Sequence, residues 1–95
     1  MALVIGVLQM RLAIREAMSL KDKRQVVKSL RDRIRNDFNV SVAEVDALDL
    51  RQTAVLGVTL ATNDRAFADR VLAKVVDYVR RAPGAELVGY ETELL

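Results

Sequence analysis

The amino-acid sequence predicts a single α+β domain, residues 1–95, with elements in the order β-α-β-β-α-β. Two segments repeat apolar residues at helical spacing, and four others alternate or are rich in β-branched residues. The chain of 95 residues is too short for two separate cores. One Pro and four Gly leave little room for linkers. A single compact domain is therefore expected.

The first element is predicted to be a long strand over residues 2–15. Its second half alternates, so that Met10, Leu12 and Ile14 share one face. Its first half is apolar on both faces, which is typical of a central strand.

A helix over residues 20–37 is expected next. Ser19 and Asp22 form an S-x-x-D sequence, in which the hydroxyl caps a free backbone N–H and the carboxylate lies at the positive end of the helix dipole. Apolar residues then recur at helical spacing, at Val26, Val27, Leu30 and Ile34.

Two alternating segments, 39–46 and 53–61, are separated by a six-residue connection and predict an antiparallel hairpin. Gly57 is unusual inside a strand and suggests a bulge or a close approach. We expect Leu48 and Leu50, in the connection, to pack against a helix end; the alternative is an exposed contact.

A second helix is predicted after Thr62-Asn63-Asp64, which offers an N-cap. It is expected to end at the Pro83-Gly84 pair, which cannot continue a helix. Its apolar seam is expected to include Phe67, Val71, Val75 and Val79, joined on that face by Leu72 and Tyr78. Residues 86–94 are predicted to form the last strand. This order gives a ferredoxin-like fold: a four-stranded antiparallel sheet, with strands 1 and 3 central and both helices on one face.

Composition excludes several classes of chemistry. The chain has no His, Cys or Trp, so metal sites built on His or Cys, disulfides and Ser-His-Asp or Cys-His machinery are excluded. Two pairs of acids, Glu44 with Asp46 and Glu91 with Glu93, are each expected to share a strand face, most simply as solvated edges. We therefore predict no enzyme, no metal and no cofactor. The N-terminal segment matches neither a signal peptide nor a membrane span, which makes a cytoplasmic location the expectation.

Charge is distributed unevenly along the chain. The net charge is +2, but residues 21–35 hold seven basic and two acidic residues, a local charge of +5, whereas the remainder carries −3. At about 100° per residue, five basic side chains share the face of the helix opposite its apolar seam. These five residues, termed the basic stripe, are Lys21, Arg24, Lys28, Arg31 and Arg35. Such a stripe is typical of helices that bind the phosphate backbone of a nucleic acid. An equally weighted interpretation is a solvated helix face with no binding role.

The sheet offers a second candidate surface. Its two central strands contain no Phe, Tyr or Trp, so RNA recognition by base stacking on the sheet is disfavoured. Leu3, Ile5 and Val7 are expected to point away from the helices, and an exposed apolar patch is typical of an interface. We therefore predict a homodimer through this open sheet face, with the basic helices outside.

The sequences Ser19-Leu-Lys-Asp-Lys-Arg24, Phe38-Asn-Val-Ser-Val-Ala-Glu-Val45 and Leu56-Gly-Val58 resemble those of the YlxP-like family, small bacterial proteins of unknown function. The resemblance covers essentially the whole chain and implies a ferredoxin-like fold. Genes of this family often lie near genes for transcription and translation factors, which implies a role around RNA or the small ribosomal subunit. The family has no established catalytic residue to carry over. Relatives often have an aromatic residue where this chain has Arg51, which weakens a stacking role for the hairpin connection.

Two hypotheses follow. The first is a non-enzymatic, dimeric RNA- or ribosome-associated module that binds phosphate through the basic stripe. The alternative is a dimeric protein-interaction or small-ligand regulatory module of the ACT-like kind, with a pocket at a sheet–sheet interface.

Overall fold

A computed structural model describes all 95 residues and has the predicted order of elements. The strands are β1 (Val4–Ala13), β2 (Ser41–Asp46), β3 (Thr53–Thr62) and β4 (Glu86–Leu94), and the helices are α1 (Leu20–Asp37) and α2 (Arg65–Arg80). The strands form one antiparallel sheet in the order β2-β3-β1-β4. The ferredoxin-like fold, with β1 and β3 central, is confirmed.

The core lies between the two helices and one face of the sheet. Leu8, Met10 and Leu12 of β1 are at most 1% exposed. Burial of each such side chain stabilises the fold by about 1.5–3 kcal/mol. A Cβ placed on Gly6 would contact Leu72 and Ala68 of α2, so the even-numbered residues of β1 face the helices. The odd-numbered residues of β1 therefore face away from them. Neither helix is long and apolar enough to cross a membrane.

α2 buries most of the seam expected, since Leu72, Val75 and Val79 are buried, but Phe67 does not belong to it. Asp64 caps the helix as predicted, because its carboxylate accepts a hydrogen bond from the Phe67 N–H at 3.2 Å. However, the Phe67 side chain is 45% exposed, whereas Ala68 is fully buried. The small side chain of Ala68 allows the first turn to lie against Gly6 of β1, which leaves Phe67, one residue earlier, on the exposed side. The buried residues of α2 are Ala68, Leu72, Val75, Val76 and Val79.

β1 and β2 are shorter than predicted because local turns interrupt them. After β1 the chain turns, and the Ala17 N–H donates to the carbonyl of Ile14 at 3.1 Å. Before β2, the Val40 N–H donates to the carbonyl of Phe38 at 3.0 Å. The bounds of α1 and β4 agree with those predicted.

Candidate nucleic-acid interface

Contacts at both ends of α1 set the rotation of this helix. At its start, the Ser19 hydroxyl accepts from the Asp22 N–H at 3.1 Å, and the Asp22 carboxylate accepts from the Met18 N–H at 2.9 Å. Just past its end, the Phe38 ring packs edge-on against Tyr78 of α2, with 5.7 Å between ring centroids. The direction of the basic stripe follows from this rotation.

The basic stripe lies on the outer face of α1. Four of its side chains are exposed, and Arg31 is half-buried. From Lys21 to Arg35 the stripe extends about 21 Å, at about 1.5 Å per residue. The opposite face of the helix is buried against the sheet through Lys23, Val27, Leu30 and Ile34.

Two members of the stripe have partners within the chain. The Lys28 Nζ lies 2.8 Å from the Asp32 carboxylate, and the hydrogen bond between them lowers the pKa of Asp32. Arg35 donates from Nη2 to the Val42 carbonyl of β2 at 2.8 Å, and its Nη1 lies 4.0 Å from Asp32. No carboxylate lies within 4.0 Å of the side-chain nitrogens of Lys21, Arg24 and Arg31. The stripe therefore keeps most of its positive charge.

Arg33 is a basic residue of α1 outside the stripe. It lines the space between the two helices, beside Tyr78 and Pro83. The Nε atoms of Arg31 and Arg33 are both buried without a hydrogen-bond partner. Arg31 therefore lies at the boundary between the stripe and the packed side of the helix.

Lys23 is counted in the local charge of residues 21–35 but does not contribute to the surface charge of α1. Its side chain is fully buried, and its Nζ donates to the carbonyls of Ala47 at 2.9 Å, Leu48 at 3.3 Å and Thr53 at 3.1 Å. The Oε2 of Glu44 lies 2.9 Å from the same Nζ. An ammonium group has three N–H donors, and the three carbonyls match them. Glu44 therefore acts mainly by neutralising the buried charge.

The helical projection contains the signal for this burial. Lys23 falls at about 60° on the scale where Leu30 and Ile34 fall at about 40° and 80°. A lysine inside an apolar seam requires a buried partner, and Glu44 is that partner. Because Lys23 is neutralised internally, the outer face of α1 is less positive than the local charge of +5 suggests.

The hairpin connection is held firmly but does not pack against a helix end as expected. Leu48 and Leu50 are 54% and 55% exposed, so that expectation is wrong. The carbonyls of the connection turn inward to Lys23 instead, and Ala47 adopts a φ of 58°. At the end of the connection, the Gln52 amide donates to two carbonyls of the β1–α1 loop at 3.0 Å each.

The two acidic pairs differ from each other. Glu44 lies opposite Leu56 and contacts Lys23, whereas a bulge shifts Asp46 opposite Val55. The prediction that Glu44 and Asp46 share a face is therefore wrong, because a bulge breaks the two-residue period of a strand. Glu91 and Glu93 lie in β4 opposite Gln9 and Val7, residues that face away from the helices. No group of three or more acidic residues is placed to hold a metal ion.

The side of the sheet away from the helices, termed the open face, carries the apolar residues expected there. Ile5 and Val7 are half-buried, and Leu3, just before β1, is 52% exposed. Two glycines of this face lie under side chains. A Cβ at Gly57 would lie 3.0 Å from Val45 Cγ1, which explains the glycine in β3, and a Cβ at Gly89 would lie 2.9 Å from Arg11 Nη2.

Comparisons with known proteins agree with this fold. A family model described as "Protein of unknown function (DUF503)" matches residues 5–92. The "Uncharacterized protein YlxP" of Bacillus subtilis (strain 168) is 31% identical over 90 residues, which cover 95% of this chain and 98% of the relative. A solved structure titled "De novo designed protein Foldit4" aligns with a TM-score of 0.55 at 15% identity, covering 98% of this chain and 96% of that one, and shows the fold alone. On the match to the family model and the identity to YlxP, the chain belongs to the DUF503 family of proteins of unknown function.

Proposed function

We propose that this protein is a non-enzymatic RNA-binding module, associated with the ribosome, which binds the phosphate backbone through the basic stripe. The observation that carries the proposal is the segregation of five basic side chains onto the outer face of α1. Three of them have no acidic partner. Phosphate contacts of this kind position a protein on RNA and do not require base-specific geometry.

The outer face of α2 provides the internal comparison. It has a similar length and exposure but mixes both signs, with Asp69 and Asp77 among its arginines and lysine. A helix face that is merely solvated is expected to look like that of α2, where opposite charges are interspersed. The near-uniform sign on α1 therefore favours a polyanionic partner.

The chemistry of the stripe predicts the character of the binding. Arg24 and Arg31 can each donate two parallel hydrogen bonds to one phosphate, whereas Lys21 and Lys28 act as compact charges. We expect weak binding that is indifferent to sequence and sensitive to salt. If all five residues contact single-stranded RNA, log K should fall against log salt with a slope of about −3.5, at about −0.7 per contact.

The test is fluorescence anisotropy with labelled single-stranded RNA at several salt concentrations. The variant with Arg24→Glu, Lys28→Glu and Arg31→Glu should lose binding. Because Arg31 is half-buried, a second variant with Lys21→Glu, Arg24→Glu and Lys28→Glu restricts the change to exposed residues. The matched control reverses three exposed charges at α2, with Arg70→Glu and Lys74→Glu on its outer face and Arg81→Glu at its C-cap, and should retain binding.

Unchanged RNA binding in both stripe variants, or equal loss in the α2 control, would overturn the proposal. The ribosomal part is tested by isolating the protein from cells at low and high salt. Small ribosomal subunits that co-purify at low salt and dissociate at high salt are the expected result. A stoichiometric metabolite or protein that stays bound at high salt would instead support the ACT-like alternative.

A further inference from the structure

The two edges of the sheet differ in how their backbone groups are protected. β2 is six residues long, a bulge interrupts it after Glu44, and the carbonyl of Val42 accepts a hydrogen bond from Arg35 Nη2 at 2.8 Å. Short length and bulges are ways in which edge strands avoid pairing with other chains. β4 is nine residues long and pairs only with β1. The β4 edge is therefore the one that is open to a further strand.

The pairing of β4 with β1 shows which backbone groups of β4 point outward. Ile5 and Leu95 exchange two hydrogen bonds, at 2.9 and 2.8 Å. In an antiparallel pair this exchange recurs at every second residue, so Glu93 and Glu91 also direct their N–H and C=O groups towards β1. The residues between them direct theirs away from β1, at the outer edge of the sheet.

The outward groups in the middle of β4 are those of Tyr90 and Thr92. No loop or side-chain hydrogen bond reaches them. The next outward carbonyl, that of Leu94, accepts from Arg65 Nη2 at 3.4 Å, which agrees with the alternation. The bulge in β4 lies at the other end of the strand, near Leu87. The middle of the edge therefore presents N–H donors and carbonyl acceptors that can pair with an added strand.

A groove of about 210 Å³ lies between α2 and this edge. Leu72 and Val76 line it and are 1% and 4% exposed. Tyr90 also lines it, and the guanidinium of Arg80 lies 5.7 Å from the centroid of that ring. Residues directly opposite each other in a sheet share a face. In an added strand, the side chains opposite Tyr90 and Thr92 would therefore enter this groove, where apolar side chains fit.

Acidic side chains surround the same stretch of edge. Glu91 and Glu93 are exposed on the open face, and Asp69 and Asp77 are exposed beside the groove. None of the four has a lysine or arginine nitrogen within 4.0 Å. Arg80 is the basic side chain that lines the groove. Four unpaired acids beside one base make the edge complementary to a basic segment.

A second copy of β4 fits this edge poorly, because β4 holds three acids and no basic residue. Acids on an edge strand oppose pairing with a copy of the same strand. The other basic groups beside β4 lie towards its ends, where Arg11 is next to Gly89 and Arg65 is next to Leu94. A partner of opposite charge is therefore favoured over self-association.

We propose that β4 binds an extended segment of another protein as a fifth strand of the sheet. In this segment, apolar residues alternate with lysine or arginine. The apolar residues lie in the groove under α2, opposite Tyr90 and Thr92, and the basic residues lie on the open face, opposite Glu91 and Glu93. Backbone hydrogen bonds supply affinity in this mode of recognition, and alternate side chains supply specificity. The inference does not depend on RNA binding, because the basic stripe is on α1, which packs over β2 at the opposite edge.

The test uses fluorescence anisotropy with a labelled peptide that alternates lysine with valine. The wild-type chain should bind this peptide. A peptide with glutamate in place of lysine should bind about tenfold more weakly or less, because it faces like charges. A third peptide keeps the lysines but carries N-methyl groups on the backbone nitrogens that face β4. It should lose binding to a similar extent, since it has the same charge but cannot donate to the edge.

Thr92→Pro tests the edge from the side of the protein. This change removes an N–H that points outward, and edge strands tolerate proline at such positions, so pairing with β1 is retained. The variant should bind the lysine–valine peptide about tenfold more weakly or less. Thr92→Val keeps the N–H and is the matched control, which should bind normally. Circular dichroism establishes that both variants are folded.

Charge reversal tests the specificity. The variant with Glu91→Lys and Glu93→Lys should prefer the glutamate–valine peptide to the lysine–valine peptide. The variant with Lys21→Glu, Arg24→Glu and Lys28→Glu should bind the lysine–valine peptide as the wild type does. This result would separate the peptide site from the proposed RNA-binding surface, whichever way RNA binding itself responds.

Three outcomes would overturn the inference. The first is the absence of peptide binding up to about 1 mM, the weak end of measurable affinity. The second is equal binding of the N-methylated peptide, or equal binding by folded Thr92→Pro, either of which would show attraction by charge alone. The third is self-association of the wild-type chain that Thr92→Pro abolishes, as measured by analytical ultracentrifugation, which would assign the edge to a second copy.

Discussion

Lys21 and Lys23 are two residues apart on α1 and carry the same charge, yet they occupy opposite environments. Lys21 is exposed on the basic stripe, whereas Lys23 is fully buried and neutralised by Glu44. Two steps along a helix rotate a side chain by about 200°, so one lysine faces solvent and the other faces the sheet. The comparison shows that direction relative to the sheet decides whether a lysine of this helix is a surface charge or an internal support.

The buried lysine adds polar contacts between parts of the fold that also meet in the apolar core, where α1, β2 and β3 pack together. Its ammonium group joins α1 to Glu44 of β2, to the hairpin connection and to Thr53 at the start of β3. The helix that carries the basic stripe is therefore fixed to the edge of the sheet by polar contacts. Variants at Lys21, Lys23 and Glu44 test how far the two lysines differ in their contribution to the free energy of unfolding.

The largest effect is expected from Lys23→Met. Methionine keeps an apolar stem of similar length but removes the ammonium, which leaves three carbonyls and the Glu44 carboxylate without their partner. Breaking a buried ion pair on one side costs about 3–5 kcal/mol of unfolding free energy. Urea denaturation followed by circular dichroism measures this loss. Lys21→Met is the matched control and should change stability by less than about 0.5 kcal/mol.

A double variant separates charge from packing in this result. Lys23→Met combined with Glu44→Leu removes both charges, and it should be more stable than Lys23→Met alone by about 1 kcal/mol or more, because no unpaired carboxylate remains. If the double variant were the less stable of the two, the ion pair would not be the source of the loss.

A smaller effect is expected from Gln52→Ala, which tests whether Lys23 alone holds the hairpin connection. The Gln52 amide donates two hydrogen bonds to carbonyls of the β1–α1 loop. Their removal should reduce the free energy of unfolding by about 1–2 kcal/mol, as measured by urea denaturation. Arg51→Ala, at the neighbouring exposed position, should have little effect. Equal stability of the two variants would show that Gln52 does not support the loop.

The smallest effect is expected from Asp32→Asn, which removes the one acid that contacts the basic stripe. The Lys28 hydrogen bond lowers the pKa of Asp32 below 3.8, so the folded state favours the ionised carboxylate. The resulting stability is present above that ordinary pKa and is lost as the pH falls through the lowered value. The variant should therefore show a slightly flatter acid-side stability profile. RNA affinity, measured by anisotropy, should rise by less than about tenfold, since exposed pairs are weak; a fall in affinity would contradict the proposed role of the stripe.

Most of the fold could be predicted because its signals are local. The Ser19 cap and the helical spacing that ends at Ile34 predict both bounds of α1, and strand alternation predicts the hairpin. The prediction that Glu44 and Asp46 share a face was wrong because a bulge separates them, and that bulge depends on how β2 pairs with β3. The place of Phe67 in the seam of α2 was wrong because Ala68 contacts the Gly6 position, far apart in sequence, and so takes the buried place in the first turn.

The sequence by itself therefore determined the order of the elements, the ferredoxin-like class and the grouping of the five basic residues on one face of α1. These properties depend on residues within one or two turns of each other, whose relative directions are given by helix and strand geometry. Only the tertiary structure decided that Glu44 is the partner of Lys23, that Leu48 and Leu50 are exposed, and that Arg11 and Glu93 lie on one face. Each of these depends on the register and packing of segments distant in the chain, where the free energy of burying or pairing a group overrides the local pattern.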